Sequence, residues 1–403
     1  MGRRYWGSQA SQDRRKALST VAQETKALTP SVSASLDHLD TTLALSFSLN
    51  TLAPLSLTKC PGFALADAPE KMGTVIRVVD SDSFDAALSI PSTVLRVQAP
   101  DAISTTADSS AAVLEALKSH ARYPENLNPT TAPRVAVLNM ASEKNPGGGW
   151  LGGSTAQEEA LCYRSTLAAS LNKAKFYPIP ARAGLYTRDV VVLREEMGKG
   201  HGLLDGVKEE RGEDVGAKRA RLPVVSVVSV AGLRHPAVKG AGDIEVGQGS
   251  VTVDIEEGQQ EGAQGGAAEE NEVGNVQDLE AGSETTKRKW DGKGKGKGKK
   301  IKVKKADGPL IFANPSDREL TKDKMRLCLR IAANQGHTMV VLGALGCGAF
   351  KNPPGEVVAC WSEVLSESEF GGGWFAEIWF AVLDRRREGN FEIFETALDG
   401  KVI

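Results

Sequence analysis

The sequence predicts a three-layer α/β/α fold around a mixed, largely parallel sheet, carrying an N-terminal helical accessory segment and one long disordered insertion. Three observations predict it. β-branched runs alternate with helical patterns, two of those runs open into glycine-rich loops that enter helices, and 41% apolar residues in a chain of 403 supply an ordinary globular core.

The elements follow in order. From about Gln12 to Leu28 the spacing of Ala17, Leu18, Val21 and Leu28 predicts an amphipathic helix ended by Pro30. Residues 31–71, rich in Ser, Leu, Thr and Pro without a firm period, read as a loosely ordered connection. Strands are predicted at Thr74–Val79 and Thr93–Val97, with a helix at Ser109–His120. Arg134–Asn139 reads as a buried strand, followed by a glycine loop and a helical run from Ala156 to Asn172. Asp189–Leu193, Pro223–Val230 and Thr338–Leu342 are further strands. After the last of these come a second glycine loop, a helix opening at Pro354, and a final strand at Trp374–Leu383.

A low-complexity segment interrupts this alternation at 239–307. Residues 243–286 hold 12 acids and no Lys or Arg, whereas Lys287–Lys305 hold 11 basic residues and one acid. Such a segment cannot bury enough apolar area to offset its chain entropy, so it is expected to be a disordered insertion. The predicted organisation is an accessory segment (1–72), a first part of the main domain (73–238), the insertion (239–307) and a second part (308–403).

With 49 Lys and Arg against 51 Asp and Glu, bulk charge gives no argument for a nucleic-acid protein. Five scattered cysteines without C-x-x-C spacing, and not paired with the five histidines at ligand spacing, point to a reducing compartment and no structural zinc. Leu43–Leu57 is too polar for a membrane helix, so a soluble chain is expected. Arg3, Arg4, Arg14 and Arg15 among serines suggest a transit peptide, but Asp13 and the helical pattern through Glu24 argue against one.

The loop Asn145–Leu161 (N-P-G-G-G-W-L-G-G-S-T-A-Q-E-E-A-L) carries the chemistry. Gly147, Gly148 and Gly149 let backbone N–H groups approach an anion, and the following helix adds its positive end. Gln157, Glu158 and Glu159 fall on the first helical turn. They are either acids complementing the dipole, with Ser154 and Gln157 as a capping box, or a reactive group. The second loop, Gly343–Gly355 (G-A-L-G-C-G-A-F-K-N-P-P-G), lies at another strand end. Two such loops can grip a diphosphate from both sides. Phe350 either faces a sugar or base or packs in the core, and Asn139 either supports the same pocket from behind its lining or is a polar strand end.

These two motifs resemble the microbial-type poly(ADP-ribose) glycohydrolases, a branch of the macrodomain fold. The likeness covers about Thr74–Leu383 without the insertion, plus the N-terminal helix. It implies that Glu159 matches the catalytic acid, Glu158 the neighbour that helps place the ribose, and Gln157 the residue that orders the loop. It further implies that Asn145 contacts the terminal ribose and that Gly147, Gly148 and Gly149 form the catalytic loop. Gly346, Cys347, Gly348, Ala349 and Phe350 then form the diphosphate-binding loop, and neither a metal nor another cofactor is implied. The implied partner is poly(ADP-ribose) or ADP-ribosylated protein, met by a monomer without membrane contact.

The implied reaction is hydrolysis of the terminal ribose–ribose O-glycosidic bond. Its oxocarbenium-like transition state needs a proton on the leaving oxygen and an anion near the developing cation. Glu159, partly desolvated beside Glu158, is expected to hold that proton with a raised pKa, and the substrate diphosphate to supply the anion. An ADP-ribose reader without turnover and a hydrolase of mono-ADP-ribosyl linkages are the alternatives. Arg234 and His235 read as an exposed loop edge rather than a substrate contact, His337 as a helix-end or surface residue, and Gly371–Gly373 as a surface turn. Lys287–Lys305 read as a nuclear localisation signal, a weak polyanion or nucleic-acid contact, or a solvated linker.

Overall fold

The computed structural model describes residues 9–90, 134–208, 215–242 and 308–403. Its strands are β1 (Leu45–Ser48), β2 (Ala64–Leu65), β3 (Ala68–Met72), β4 (Val75–Val79), β5 (Ala136–Ala141) and β6 (Ala183–Val191). They continue with β7 (Val224–Ala231), β8 (Val238–Gly240), β9 (Leu310–Phe312), β10 (Met339–Leu342) and β11 (Glu377–Ala381). The helices are α1 (Gln9–Ala34), α2 (Ser83–Ser89), α3 (Gln157–Arg164), α4 (Leu167–Ser170) and α5 (Lys173–Phe176), then α6 (Val215–Arg219), α7 (Pro315–Asn334), α8 (Pro354–Leu365) and α9 (Asn390–Leu398).

Seven strands form one sheet in the order β1-β6-β7-β5-β10-β11-β4. From β7 to β4 all neighbours are parallel, while β6 runs antiparallel to both β7 and β1. The C-terminal ends of β7, β5 and β10 therefore stand side by side on one edge, where open α/β sheets bind their ligands. Side chains alternate across β5: Ala136 and Leu138 join a core with Val228, Leu327, Trp361 and Phe380 under α7 and α8. Val137 joins the opposite core with Val227, Phe84, Leu161, Leu18 and Ala22 under α1, α2 and α3. This is the three-layer α/β/α arrangement with a mixed sheet and an N-terminal helix.

The structure corrects several local expectations. Pro30 does not end α1, which runs on to Ala34. Pro30 is exposed, so the carbonyl it leaves without a donor faces solvent, and Val32 and Leu36 anchor the continuation in a third apolar cluster. The stretch 31–71 is more ordered than expected. It supplies β1, whose four residues carry no apolar run but cover the open edge of β6, pairing Leu45 with Tyr186 and Ser48 with Ala183. The helical run at 156–172 breaks at Ser165, which is extended and bridges Val192. Its Oγ donates to the Leu161 carbonyl, and Thr166 Oγ1 accepts from Val191 N at 3.0 Å. Side-chain bonds of this kind compete with the helical ladder.

His337 is a helix-end residue but not a surface one: it is buried, with Nδ1 2.7 Å from the Arg134 carbonyl and Nε2 2.9 Å from Tyr186 Oη. Burial drives its pKa down to about 4. The turn at Gly371–Gly373 is exposed at Gly372, yet Gly373 is buried against the Phe63 backbone, where a Cβ would meet Phe63 N at 2.8 Å. Helices α2, α7 and α9 have no counterpart in the sequence expectations. β8 pairs with β9, Val238 opposite Phe312, so an ordered ribbon holds both ends of the insertion. The expected strand at Thr93–Val97, the helix at Ser109–His120 and residues 243–307, including Lys287–Lys305, lie outside the described residues. Among the described residues, no helix is long and apolar enough to cross a membrane.

Candidate active site

The loop after β5 and the first turn of α3 form one unit. Gly147 and Gly148 adopt positive φ (71° and 58°), which folds the backbone over the helix start. Glu158 is buried, its Oε1 accepting from Gly147 N at 3.1 Å and its Oε2 from Ser142 N at 2.7 Å. Glu159 is also buried, with Oε1 accepting from Gly149 N at 2.8 Å. A Cβ on Gly148 would lie 2.4 Å from Glu159 Oε1 and 3.1 Å from Glu158 Oε2, so both carboxyls converge on that α-carbon. Any side chain there would have to displace the Glu159 carboxyl.

Gln157 does not take part in a capping box. The N-cap of α3 is Ala156, without a side-chain cap bond. Instead, Gln157 Oε1 accepts from Met140 N at 2.9 Å, while Nε2 donates to the Leu138 carbonyl at 2.7 Å and to Ser83 Oγ at 3.1 Å. The side chain thus completes the edge of β5 and ties α3 to α2. Asn145 is exposed, and its carbonyl accepts from Gly148 N at 2.9 Å to close the turn. Asn139 is fully buried in the sheet, its Nδ2 donating to Ser229 Oγ at 3.0 Å.

Burial pushes the Glu158 carboxyl up to about 8, against the opposing pull of the Ser142 and Gly147 backbone N–H groups and with the Glu159 charge adding to the rise. Burial and the neighbouring Glu159 charge thus both favour the protonated form of the Glu158 carboxyl.

The second loop lies at the end of β10, next to β5 in the sheet. Gly346 and Cys347 are buried, Gly348 and Ala349 are exposed, and Phe350 is half-buried. Gly346 has φ +76°, and a Cβ there would meet Asn352 Nδ2 at 2.4 Å. Asn352 is buried, and its Nδ2 reaches the carbonyls of Leu233 at 2.6 Å and Gly346 at 3.0 Å. Its organising role was not read from the sequence, although an Asn between a glycine loop and Pro-Pro is a recognisable signal. The loop after β7 completes the edge: a Cβ on Gly232 would meet the Gly346 α-carbon at 3.1 Å, and His235 N donates to the Phe350 carbonyl at 2.9 Å. Arg234 and His235 are exposed, and the Arg234 guanidinium lies 5.9 Å from the centre of the Phe350 ring.

α1 supports the glycine loop after β5 from outside. Ser19 Oγ donates to the Leu151 carbonyl at 2.8 Å, and a Cβ on Gly153 would meet the Arg15 carbonyl oxygen at 2.3 Å. Tyr163 Oη donates to the carbonyls of Trp150 and Ser154 at 2.9 and 2.8 Å, fixing the far side of the same loop. Neither contact was anticipated, because each joins residues distant in sequence or on a helix face that looks like ordinary core.

Residues 64–195 match the family model described as microbial-type PARG, catalytic domain. None of the curated proteins matches the chain. Among solved structures, the chain is similar to the poly(ADP-ribose) glycohydrolase (PARG) of Thermomonospora curvata, with a TM-score of 0.53 and 18% identity over 95% of this chain and 99% of that one. The Thermomonospora curvata enzyme bound to the inhibitor ADP-HPD gives a TM-score of 0.50 at 18% identity over 94% and 99%. At that identity the likeness is one of fold. Residues 64–195 thus carry a signature similar to that catalytic domain, and the architecture around them has the fold of the Thermomonospora curvata enzyme.

Proposed function

We propose that the protein is a poly(ADP-ribose) glycohydrolase that releases ADP-ribose from a chain end. The observation that carries this reading is the convergence of Glu158 and Glu159 on Gly148, on a loop that shares one sheet edge with Gly346–Phe350. On this reading the terminal ribose rests on Gly147–Gly149 near Asn145. Its diphosphate lies against the backbone of Gly346, Cys347, Gly348 and Ala349, with Phe350 beside the sugar.

Glu159, sharing a proton with Glu158, protonates the leaving ribose oxygen as the C–O bond breaks, and the substrate diphosphate offsets the charge of the oxocarbenium ion. The carboxylate then takes a proton from the attacking water. One water is consumed, and the products are free ADP-ribose and a polymer one unit shorter. Glu158 places the ribose, and Gln157 holds the loop against β5. Residues 73–238 and 308–403 form the catalytic unit. The basic run Lys287–Lys305 is a secondary contact for the same polyanion.

The test is release of ADP-ribose from purified polymer by the wild type and by Glu159→Gln, with ADP-ribose binding to both followed by calorimetry. General acid–base catalysis contributes about 10²–10⁴-fold, so the variant should lose at least about 10²-fold in turnover while still binding. Binding by both without release would make the protein a reader or a hydrolase of another ADP-ribosyl linkage. No binding by either would remove the reading altogether.

A further inference from the structure

α3 has eight residues, too few to be stable alone, yet it carries both carboxyls in its first turn. What fixes it is α2. At the front of α3, Gln157 Nε2 donates to Ser83 Oγ. At the back, Arg164, 2% exposed, forms ion pairs with Asp82 and Asp85. Asp82 is itself the N-cap of α2, accepting from Phe84 N at 2.9 Å. The Arg164 guanidinium also lies 5.6 Å from the Phe84 ring centre, and its Nε donates to the Arg194 carbonyl at 3.1 Å. The other charged groups facing the cluster are Lys199, 3.8 Å from Asp85, and Arg194, which is paired with Glu24 of α1.

We infer that Arg164 is a positioning residue for the two carboxyls: its fork on Asp82 and Asp85 sets the axial and rotational register of α3 against β5. With both ends clamped to the first turn of α2, α3 can neither slide nor roll. A roll would carry Glu158 off Ser142 N and Gly147 N, and Glu159 off Gly149 N. Two bonds from one planar guanidinium to two separate carboxylates impose an orientation that a lysine ammonium does not. Misplacing catalytic groups by about 1 Å costs on the order of 10²-fold in rate. This inference rests on the glycohydrolase reading.

The experiment compares the full-length wild type with Arg164→Lys and Asp85→Asn, the latter removing only the more exposed arm of the fork. The measurements are kcat and KM on polymer, ADP-ribose binding by calorimetry, the pH–rate profile, and the Glu158 carboxyl titration by NMR of ¹³C-labelled protein. Expected are a kcat lower by about 10- to 100-fold, KM and ADP-ribose affinity within about threefold, and a displaced pH–rate limb and Glu158 titration in both variants. A lowered Tm with kcat per folded molecule and both titrations unchanged would overturn the inference, leaving Arg164 a structural ion-pair partner. If Arg164→Lys does not fold, Asp85→Asn decides. If the wild type itself releases no ADP-ribose, the function reading falls, and the Glu158 titration alone decides whether Arg164 positions that carboxyl.

Discussion

Gly148 and Glu159 compete for the same volume: a Cβ on the glycine would stand 2.4 Å from Oε1 of the glutamate, and the glycine holds φ at +58°. Gly148→Ala must therefore displace the carboxylate, strain the backbone, or both. The expected result is a loss of about 10²-fold in kcat and about 2 kcal/mol of stability from the left-handed conformation and overpacking. Steady-state kinetics and thermal unfolding measure the two separately. A fully active Gly148→Ala would show that the pair works without this close approach.

Glu158 supplies a pH signature. Its folded pKa of about 8 lies above its ordinary value of 4.5, so the folded state holds a proton that the unfolded chain gives up. The stabilisation is therefore present below about pH 4.5 and is lost as pH rises to about 8. Replacing the carboxyl with an uncharged amide removes that dependence. The Tm difference between Glu158→Gln and the wild type should therefore move in the variant's favour between pH 5 and pH 9. A constant difference across that range would show that the Glu158 carboxyl is not held protonated.

His337 acts in the opposite direction. Burial lowers its pKa from 6.5 to about 4, so the unfolded chain binds the extra proton first. Its contribution is complete above about pH 6.5 and falls away as pH drops towards 4, a loss of roughly 3 kcal/mol. His337→Gln, which keeps a donor and an acceptor near Arg134 and Tyr186, should flatten the acid limb of the stability curve. An unchanged acid limb would refute the assignment.

The two ends of the insertion meet: a Cβ on Gly308 would lie 3.8 Å from Gly242 N, and β8 and β9 pair just behind them. Replacing 243–307 with a short Gly-Ser link should leave Tm within about 2 °C and turnover on a single terminal unit unchanged. If Lys287–Lys305 hold polymer, KM on long chains should rise and its salt dependence should weaken. A deletion variant that fails to fold would put part of the core inside the removed segment.

The alternation of β-branched runs and helices made the parallel half of the sheet legible, because strands buried on both faces carry their burial in their composition, as Arg134–Asn139 and Ser226–Val230 do. The glycine loops were legible because close backbone approach leaves only one residue type available. Elements specified by partners far along the chain were not. β1 exists because β6 has an open edge, α1 survives Pro30 because its solvent face can tolerate the missing bond, and α2 is a two-turn helix held by Asp82 and Arg164. In the site, the local spacing offers Gln157 as a cap and the family likeness as the residue that orders the loop, while its bonds run to Leu138, Met140 and Ser83. Asn352 and Tyr163 went unread for the same reason, as backbone carbonyls are invisible in a sequence.

The contact between Ser19 and Leu151 spans 132 residues of chain. A ribosome releases α1 long before the loop it braces exists, and the loop exists before the strand that supplies Gly346–Phe350. The first helix must therefore wait undocked, and the loop-bearing sheet edge is assembled only when early, middle and late segments have all met. If the proposed function holds, ligand affinity is thus a report on the completeness of the whole molecule, and a truncated or half-folded copy should be unable to bind ADP-ribose.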